Sequence, residues 1–187
     1  MKVFFYSFLI LLFSSQVLST QNVTKAYFAG GCFWCMEESF EKLDGVVEVI
    51  SGYSGGTTKN PTYKEVTYGN TGHFETIEVI YDNSIISYKK LLDNFWINID
   101  PFDEYGQFCD KGYSYRSVAF YQNQKQKKMI ENSINKIDKK FQKKVVTYVR
   151  EFDEFYKAED KHQNYYQEYF LNYLRYKKAC RREKILN

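Results

Sequence analysis

A stretch near the N-terminus, residues 26–41, constrains the fold of this chain more than any other part of the sequence. It reads AYFAGGCFWCMEESFE, an apolar run followed by two glycines and then by apolar residues at helical spacing. Paired glycines favour a tight turn, and apolar residues three and four positions apart favour a helix with one apolar face. We therefore expect a β-strand, a tight turn and a helix whose first turn contains Cys32.

Cys32 is the strongest candidate nucleophile in the sequence. The first turn of a helix has unpaired backbone N–H groups and the positive end of the helix dipole, which favour a thiolate and lower a thiol pKa. Cys35 follows three residues later. Two other interpretations stay open: a pair of small buried side chains, or a disulfide that only pins the turn. A zinc site at Cys32 and Cys35 is less favoured. A structural zinc site usually needs a second Cys or His pair at similar spacing, and Cys109 and Cys180 are each solitary.

Composition points to a dense core and narrows the range of partners. Aromatic residues make up 19% of the chain, and two of them, Phe33 and Trp34, lie between the cysteines. An aromatic surface there would suit a small apolar group. Lysine and arginine total 26 against 23 acidic residues, which is too little net charge to predict nucleic acid as a partner. We expect a monomer.

The first nineteen residues predict an export signal. A basic start, an apolar run over residues 3–13 and small or apolar residues at 17–19 fit a secretory signal peptide, which is shorter than a membrane span. We expect cleavage after Ser19, a single domain over residues 20–187, a periplasmic or secreted location, and no stable membrane association after cleavage. Asn22 begins an N-glycosylation triplet, which arises often by chance.

Export makes the four cysteines informative. Exported compartments are oxidising and permit structural disulfides. A disulfide between Cys32 and Cys35 would, however, close so small a loop that its entropic gain would be minor. Such a bond makes more sense as one that is formed and reduced during turnover.

Hydrophobic periodicity predicts the remaining elements. Two β-α-β units in succession favour an α+β fold, a two-layer α/β sandwich with helices over a mixed sheet, which we expect to contain a ferredoxin-like βαββαβ core. Loops are expected at 51–56 and 60–63, and a long one at 98–112 has the length of a functional loop. We expect strands at 25–29, 46–50, 73–81, 115–121 and 145–152, helices after 33, after a cap at Ser87 and over 124–141, and a helical or irregular tail from 159 to 182.

The chemistry of a thiolate also needs a proton source. Glu75 follows His73 and Phe74 at the start of a predicted strand, and burial there would raise its pKa and keep it protonated. A solvated carboxylate on a strand face is the ordinary alternative. His73 and His162 are further candidates, although a lone histidine more often has a structural role.

Seven short segments carry a pattern that single residues do not. They are residues 31–34, 51–56, 60–63, 69–75, 88–96, 110–117 and 158–165. Taken together and in this order, they resemble peptide methionine sulfoxide reductase A. Each segment is weak alone, but seven in register are specific, and the resemblance runs from about residue 25 to 182.

The resemblance implies reduction of the S epimer of methionine sulfoxide, free or in proteins, to methionine. Cys32 would attack the sulfoxide sulfur and become a sulfenic acid, and Glu75 would protonate the sulfoxide oxygen. A second thiol would then form an intramolecular disulfide, which a thioredoxin-like dithiol would reduce. No metal or organic cofactor is implied.

The resemblance also implies a substrate pocket. Phe33 and Trp34 would hold the S-methyl group of the substrate. Tyr63 and Tyr115 would hydrogen-bond the sulfoxide oxygen, and Asp110 would fix a backbone amide of the substrate or a water.

The sequence departs from the commonest pattern of the family, which has glycine where Cys35 stands and recycling cysteines in a glycine-rich tail. Cys35 is the favoured resolving cysteine, because one helical turn separates it from Cys32 and a disulfide tolerates that Cα separation. Cys180 is the alternative if the tail folds back over the site. Cys109 is the third candidate and is expected to be a buried loop residue.

Two other classes of protein remain to be distinguished. An exported thioredoxin-type thiol-disulfide exchange protein has a similar order of strand, C-x-x-C motif and helix. Such proteins carry small residues or proline between their cysteines and a cis-proline opposite, whereas this chain has only Pro61 and Pro101. A non-catalytic binding module that uses its tyrosines is the other alternative.

Overall fold

The computed structural model describes residues 22–182 and 185–186, so the predicted export signal at 1–19 lies outside the described residues. Two short 3-10 helices span Tyr113–Tyr115 and Asp160–His162. The strands are β1 (Val23–Gly30), β2 (Val46–Ser54), β3 (Phe74–Asp82), β4 (Gly106–Gln107), β5 (Asp110–Lys111), β6 (Ser117–Tyr121), β7 (Tyr148–Glu151) and β8 (Phe155–Lys157). The helices are α1 (Phe33–Glu41), α2 (Tyr63–Tyr68), α3 (Tyr88–Ile97), α4 (Gln124–Phe141), α5 (Tyr165–Glu168) and α6 (Phe170–Cys180).

The main sheet has the strand order β7-β6-β1-β3-β2-β8. Within its central part, β6-β1-β3-β2, each strand is antiparallel to the next. Helix α1 connects β1 to β2, and α3 lies between β3 and β6 in the chain. This is the ferredoxin-like βαββαβ arrangement, so the predicted fold class is confirmed. β7 pairs with β6 in parallel, which makes the sheet mixed.

The larger core lies between the sheet and the helices on one of its faces. Because successive side chains of a strand point to opposite faces, Phe28 of β1 enters this core whereas Tyr27 enters a smaller cluster on the other face. The ring of Phe28 packs 5.3 Å from Phe40 of α1 and 5.1 Å from Phe95 of α3. These contacts pack α1 and α3 against β1, the strand that leads into the turn carrying Cys32.

Two helices follow the sequence closely. α3 begins after Ser87, whose side chain accepts a hydrogen bond from the backbone N–H of Lys90, as expected for a cap. α4 has the predicted bounds and is capped by Asn123. In both helices the amphipathic pattern and the side-chain cap indicate the same starting point.

Several segments expected to be loops form regular secondary structure. Residues 51–54 continue β2, because β3 and β8 pair with this segment on its two sides. A Cβ at Gly52 would lie 2.3 Å from the Phe155 ring, so this glycine permits close approach of β8. The expected turn at 60–63 leads directly into α2, and the 98–112 loop contains the β4-β5 hairpin. The single strand expected at 145–152 is shorter, and β8 follows it.

None of the described helices is both long enough and apolar enough to cross a membrane.

Candidate active site

Cys32 lies at the tight turn between β1 and α1, as the N-cap residue of α1. The turn depends on Gly31, which has a φ of 77°. A Cβ at this position would lie 2.5 Å from the Cβ of Gln107, so a larger residue would be excluded by space as well as by conformation. The glycine pair therefore places the Cys32 thiol in the interior, where the residue is 4% exposed.

Glu75 lies opposite this turn, near the start of β3. Its Oε2 atom accepts a hydrogen bond of 3.0 Å from the backbone N–H of Phe33, the first residue of α1. The side chain is buried, and burial raises its pKa to about 8, although the Phe33 N–H opposes that shift. Glu75 is therefore largely protonated at neutral pH, directly beside the start of the helix.

A cavity of about 110 Å³ joins these groups. It is lined by Cys32, Phe33, Trp34, Tyr63, Glu75, Asp110, Tyr115 and Tyr176. All seven residues that the sequence proposed for catalysis or substrate binding are thus brought together. Phe33 and Trp34 form the aromatic wall of the cavity, and the Trp34 ring is stacked on Tyr165 at 3.7 Å. This wall offers an apolar surface beside a thiol and a neutral carboxyl group.

Two phenols face each other across the cavity. The hydroxyl oxygens of Tyr63 and Tyr115 lie 3.5 Å apart. Burial and the nearby Glu75 raise the pKa of both, that of Tyr63 to about 12. Both phenols therefore keep their protons and can donate hydrogen bonds to an oxygen atom that lies within reach of both hydroxyls.

Tyr176 completes the site, and sequence reasoning missed it. Its hydroxyl donates a 2.5 Å hydrogen bond to Oδ2 of Asp110. Burial raises the pKa of Asp110, and the bond from Tyr176 opposes this. Tyr176 lies on α6, more than 140 positions from Cys32 in the sequence, and its position depends on how the tail folds back. No local pattern in the sequence marks it.

The two thiols of α1 form a coupled pair. Burial raises the pKa of Cys32, and a hydrogen bond with Cys35 and the nearby Glu75 act in the same direction. The hydrogen bond with Cys32 lowers the pKa of Cys35 to about 7, although burial opposes this shift. The expectation that the helix terminus lowers the pKa of Cys32 is therefore wrong, because burial outweighs that effect.

The comparisons with known proteins agree with this geometry. The family model described as "Peptide methionine sulfoxide reductase" matches residues 24–187. The MsrA protein of Listeria monocytogenes serotype 4b is 43% identical over 172 residues, which cover 91% of this chain and 97% of that protein. This chain belongs to the peptide methionine sulfoxide reductase family. Membership sets aside the thioredoxin-type and binding-module alternatives.

Other members extend the comparison. The MsrA/MsrB protein of Vibrio cholerae is 45% identical over 171 residues, which are 90% of this chain but only 45% of that longer protein. The reduced form of Mxr1 from Saccharomyces cerevisiae is 30% identical, with a TM-score of 0.73 over 79% of this chain and 86% of that one. Mxr1 in complex with Trx2, at 20% identity and a TM-score of 0.55, shows the shared fold alone.

The remaining cysteines of this family member form a disulfide. Cys109 and Cys180 are bonded, with their Cα atoms 5.0 Å apart, whereas Cys32 and Cys35 are free thiols. The expectation that Cys109 is a buried loop residue is wrong, because it is exposed and crosslinked to the buried Cys180. With Asp110, these cysteines place three potential ligand atoms within 4.8 Å, but a disulfide holds both sulfurs.

The histidines have packing roles in this structure. His73 accepts a hydrogen bond from the backbone N–H of Gly56, and its Nε2 lies 2.7 Å from the carbonyl oxygen of Thr58. His162 is buried 4.5 Å from the Tyr63 ring, behind the aromatic wall. Burial lowers its pKa, so it is neutral. Neither histidine lines the Cys32 cavity.

Carboxylates of α1 hold the tail over the site. Glu37 is fully buried and accepts a 2.9 Å hydrogen bond from the backbone N–H of Asn164. Glu38 accepts hydrogen bonds from Tyr173 and Lys177 of α6. The sequence reading gave these two glutamates no role, because a helix with adjacent acidic residues resembles a solvated face.

Proposed function

We propose that this chain reduces the S epimer of methionine sulfoxide, free or in proteins, to methionine. One observation carries the proposal: a thiol, a neutral carboxyl group and an aromatic wall line the same cavity of about 110 Å³. A sulfoxide sulfur becomes electrophilic when its oxygen is protonated or strongly hydrogen-bonded. The reaction thus needs the three kinds of group that the cavity combines.

In the first step, Cys32 attacks the sulfoxide sulfur while Glu75 gives its proton to the sulfoxide oxygen. The oxygen moves from the substrate to Cys32, so methionine leaves and Cys32 becomes a sulfenic acid. The substrate sulfur gains two electrons and Cys32 loses two. The thiol proton that Cys32 loses restores the neutral form of Glu75, so no net acid is consumed.

The other residues of the cavity would orient the substrate. Phe33 and Trp34 would contact its S-methyl group. Tyr63 and Tyr115 are 3.5 Å apart and would donate hydrogen bonds to its oxygen. Asp110 would accept a hydrogen bond from a backbone amide of the substrate or from a water.

Cys35 is the proposed resolving cysteine. Its sulfur would attack the sulfenic acid of Cys32, form the Cys32–Cys35 disulfide and release water. Two observations support Cys35 over Cys180: Cys35 is a free thiol in the same helix turn as Cys32, and Cys180 is already bonded to Cys109. A thioredoxin-like protein would then reduce the new disulfide, as the solved complex of Mxr1 with Trx2 suggests. This chemistry uses thiols, a carboxyl group and phenols, without a metal or organic cofactor.

Export is part of the proposal. The N-terminal pattern of residues 1–19 supports a cleaved signal peptide and a periplasmic or secreted location. The Cys109–Cys180 disulfide is further support, because such bonds persist in oxidising compartments.

A stereospecific assay tests the activity. Separated S and R epimers of a methionine sulfoxide peptide are incubated with the protein and dithiothreitol, and methionine is measured. We expect methionine from the S epimer only, and none from either epimer with Cys32→Ser. Reduction of the R epimer at an equal rate, or activity that survives in the variant, would contradict the proposal.

A further inference from the structure

A second and larger depression lies on another side of α1. This groove has a volume of about 410 Å³ and is formed by α1, the C-terminal end of α3 and the end of α6. We call it the Cys35 groove, because Cys35 is one of its lining residues. Cys32, by contrast, lines the substrate cavity. Among the described residues, none lines both spaces.

The arrangement follows from the helix. Cys35, Glu38, Ser39 and Lys42 line the groove from α1, and their spacing of three, four and seven residues places them on one face. The residues of α1 that line the substrate cavity, Phe33 and Trp34, belong to its first turn. A Cys32–Cys35 disulfide would therefore connect the two spaces, with one sulfur facing each.

We propose that the Cys35 groove is the docking site of the external dithiol protein, whose thiolate attacks the sulfur of Cys35 and not that of Cys32. The inference rests on the proposed reductase function and names the surface that its recycling step uses. Thiol-disulfide exchange needs the attacking, central and leaving sulfurs nearly in line. Attack from the groove expels Cys32 towards the substrate cavity, in the position that it needs for the next reaction.

The electrons and atoms of this step balance. The reductant thiolate forms a bond to Cys35, and the Cys32–Cys35 bond breaks with its electron pair on Cys32, which takes up a proton. The second thiol of the reductant then attacks the mixed disulfide and expels Cys35. The reductant leaves as a disulfide after it has given two electrons to the enzyme.

Size distinguishes the two routes. The substrate cavity is about 110 Å³, with Tyr176 among its lining residues, and this volume suits a single side chain. The groove is several times larger, and the apolar side chains of Leu43, Ile97 and Phe108 line it. A loop that carries a redox-active cysteine fits the groove and is too large for the cavity.

Charge indicates the character of the partner. Of the described residues, three basic ones and a single carboxylate line the groove, namely Lys42, Lys177, Arg182 and Glu38. Burial acts to raise the pKa of Glu38, but hydrogen bonds from Lys177 and Lys42 lower it to about 2, so both lysines share one negative charge. The groove therefore carries excess positive charge and fits a dithiol protein with acidic residues around its exposed cysteine.

Trapping of the mixed disulfide tests the route. The pre-reduced enzyme is oxidised by one equivalent of the S sulfoxide and then mixed with a thioredoxin whose second active-site cysteine is replaced by serine. We expect fragment-ion mass spectra to place the thioredoxin on Cys35 and to show Cys32 alkylated as a free thiol. Attachment to Cys32, Cys109 or Cys180 would overturn the inference.

A charge reversal tests the surface. Lys42→Glu is compared with Lys89→Glu, because each lysine is exposed and pairs with a carboxylate four residues away in its own helix. We expect Lys42→Glu to raise the KM for an acidic-faced thioredoxin by about fivefold. Lys89→Glu should leave that KM unchanged, and both variants should keep wild-type rates with dithiothreitol.

Single-turnover methionine formation and the KM for thioredoxin together separate the proposed function from the groove assignment. If the pre-reduced wild type forms no methionine from the S epimer in a single turnover, the proposed function fails. If that turnover is normal but Lys42→Glu and Lys89→Glu have the same KM for thioredoxin, the groove assignment alone fails.

Discussion

The two cysteine pairs of this chain have opposite properties. Cys32 and Cys35 are three residues apart, buried and free, and they lie near a carboxyl group that burial keeps neutral. Cys109 and Cys180 are 71 residues apart and joined, and one of them is exposed. A bond between the first pair would close a loop too short to stabilise the fold, whereas the second bond closes a long one.

The two pairs therefore have different roles: the local pair can react, and the long-range pair supports the structure. The Cys109–Cys180 bond attaches the end of α6 to the β4-β5 hairpin, which also carries Asp110. Tyr176, one turn before Cys180, donates its hydrogen bond to that same Asp110. The long-range disulfide therefore holds one side of the cavity in place, while the local pair is left free to react.

Cys35→Ser should have the largest effect on turnover. If it had no effect, Cys32 and Cys35 would not be the reactive pair. The variant should form one equivalent of methionine at the wild-type rate, because Cys32 and Glu75 are intact. Steady-state turnover with thioredoxin should be lost, since no disulfide forms in α1. Rapid-quench and steady-state assays of the same sample measure both quantities. A Cys32–Cys180 bond in the oxidised wild type would show that the tail cysteine resolves instead.

Glu75→Gln should slow the first turnover by about 10²–10³-fold, because it removes the positioned acid. The wild-type rate should fall as pH rises through about 8, where Glu75 loses its proton, and the variant should lack this upper limb. Single-turnover rates between pH 6 and 10 measure both effects. An unchanged rate would remove Glu75 from the reaction.

The same substitution has an opposite effect on stability. Burial raises the pKa of Glu75 in the folded state from 4.5 to about 8. The folded protein thus binds more protons than the unfolded chain, and stability from this group is lost as pH rises through that interval. Glu75→Gln should therefore become more stable relative to the wild type as pH rises from 4.5 to about 8, as measured by urea unfolding.

Cys180→Ser should affect stability more than chemistry. The lost crosslink closes a loop of 71 residues, which corresponds to about 4 kcal/mol in the free energy of unfolding. Cys109→Ser and the double variant should lose the same amount, because each removes the same bond. Denaturant unfolding without reductant measures this loss. Equal stability of the wild type and the three variants would show that the bond does not support the fold.

Tyr176→Phe should have the smallest effect. The hydroxyl donates its proton to Asp110, and the nearby Tyr176 hydroxyl also lowers the pKa of Cys32. Its removal should slow the first turnover by about tenfold, as expected for one hydrogen bond to a charged group. Alkylation of Cys32 against pH should show a higher thiol pKa. Tyr166→Phe is the matched control, because its hydroxyl bonds Glu41 outside the cavity, and it should change neither quantity.

Local signals predicted a large part of this protein. The glycine pair, the Ser87 cap and the periodicity of residues 124–141 each act within a few residues, and the structure follows them. The α2 helix also had a local signal, since Thr62 and Glu65 form a capping box. The α2 helix was not predicted, because it has only six residues.

Long-range contacts set the limit of prediction. β8 has three residues and is a strand only because β2 pairs with it. The Cys109–Cys180 partnership spans 71 residues, and the sequence does not specify which cysteines meet. The same holds for Tyr176, which reaches the cavity through the fold of the tail, and for the pKa of Cys32, which burial raises.

The hydrogen bond from the Phe33 backbone to Glu75 has a stereochemical consequence. It occupies Oε2, so only the other carboxyl oxygen is free to deliver a proton, and it does so from one direction. The attacking sulfur and the aromatic wall fix two further directions around the substrate. The sulfoxide sulfur is pyramidal and carries an oxygen, a methyl group and a chain, so it is chiral. Three different fixed contacts are the minimum that can distinguish its two epimers.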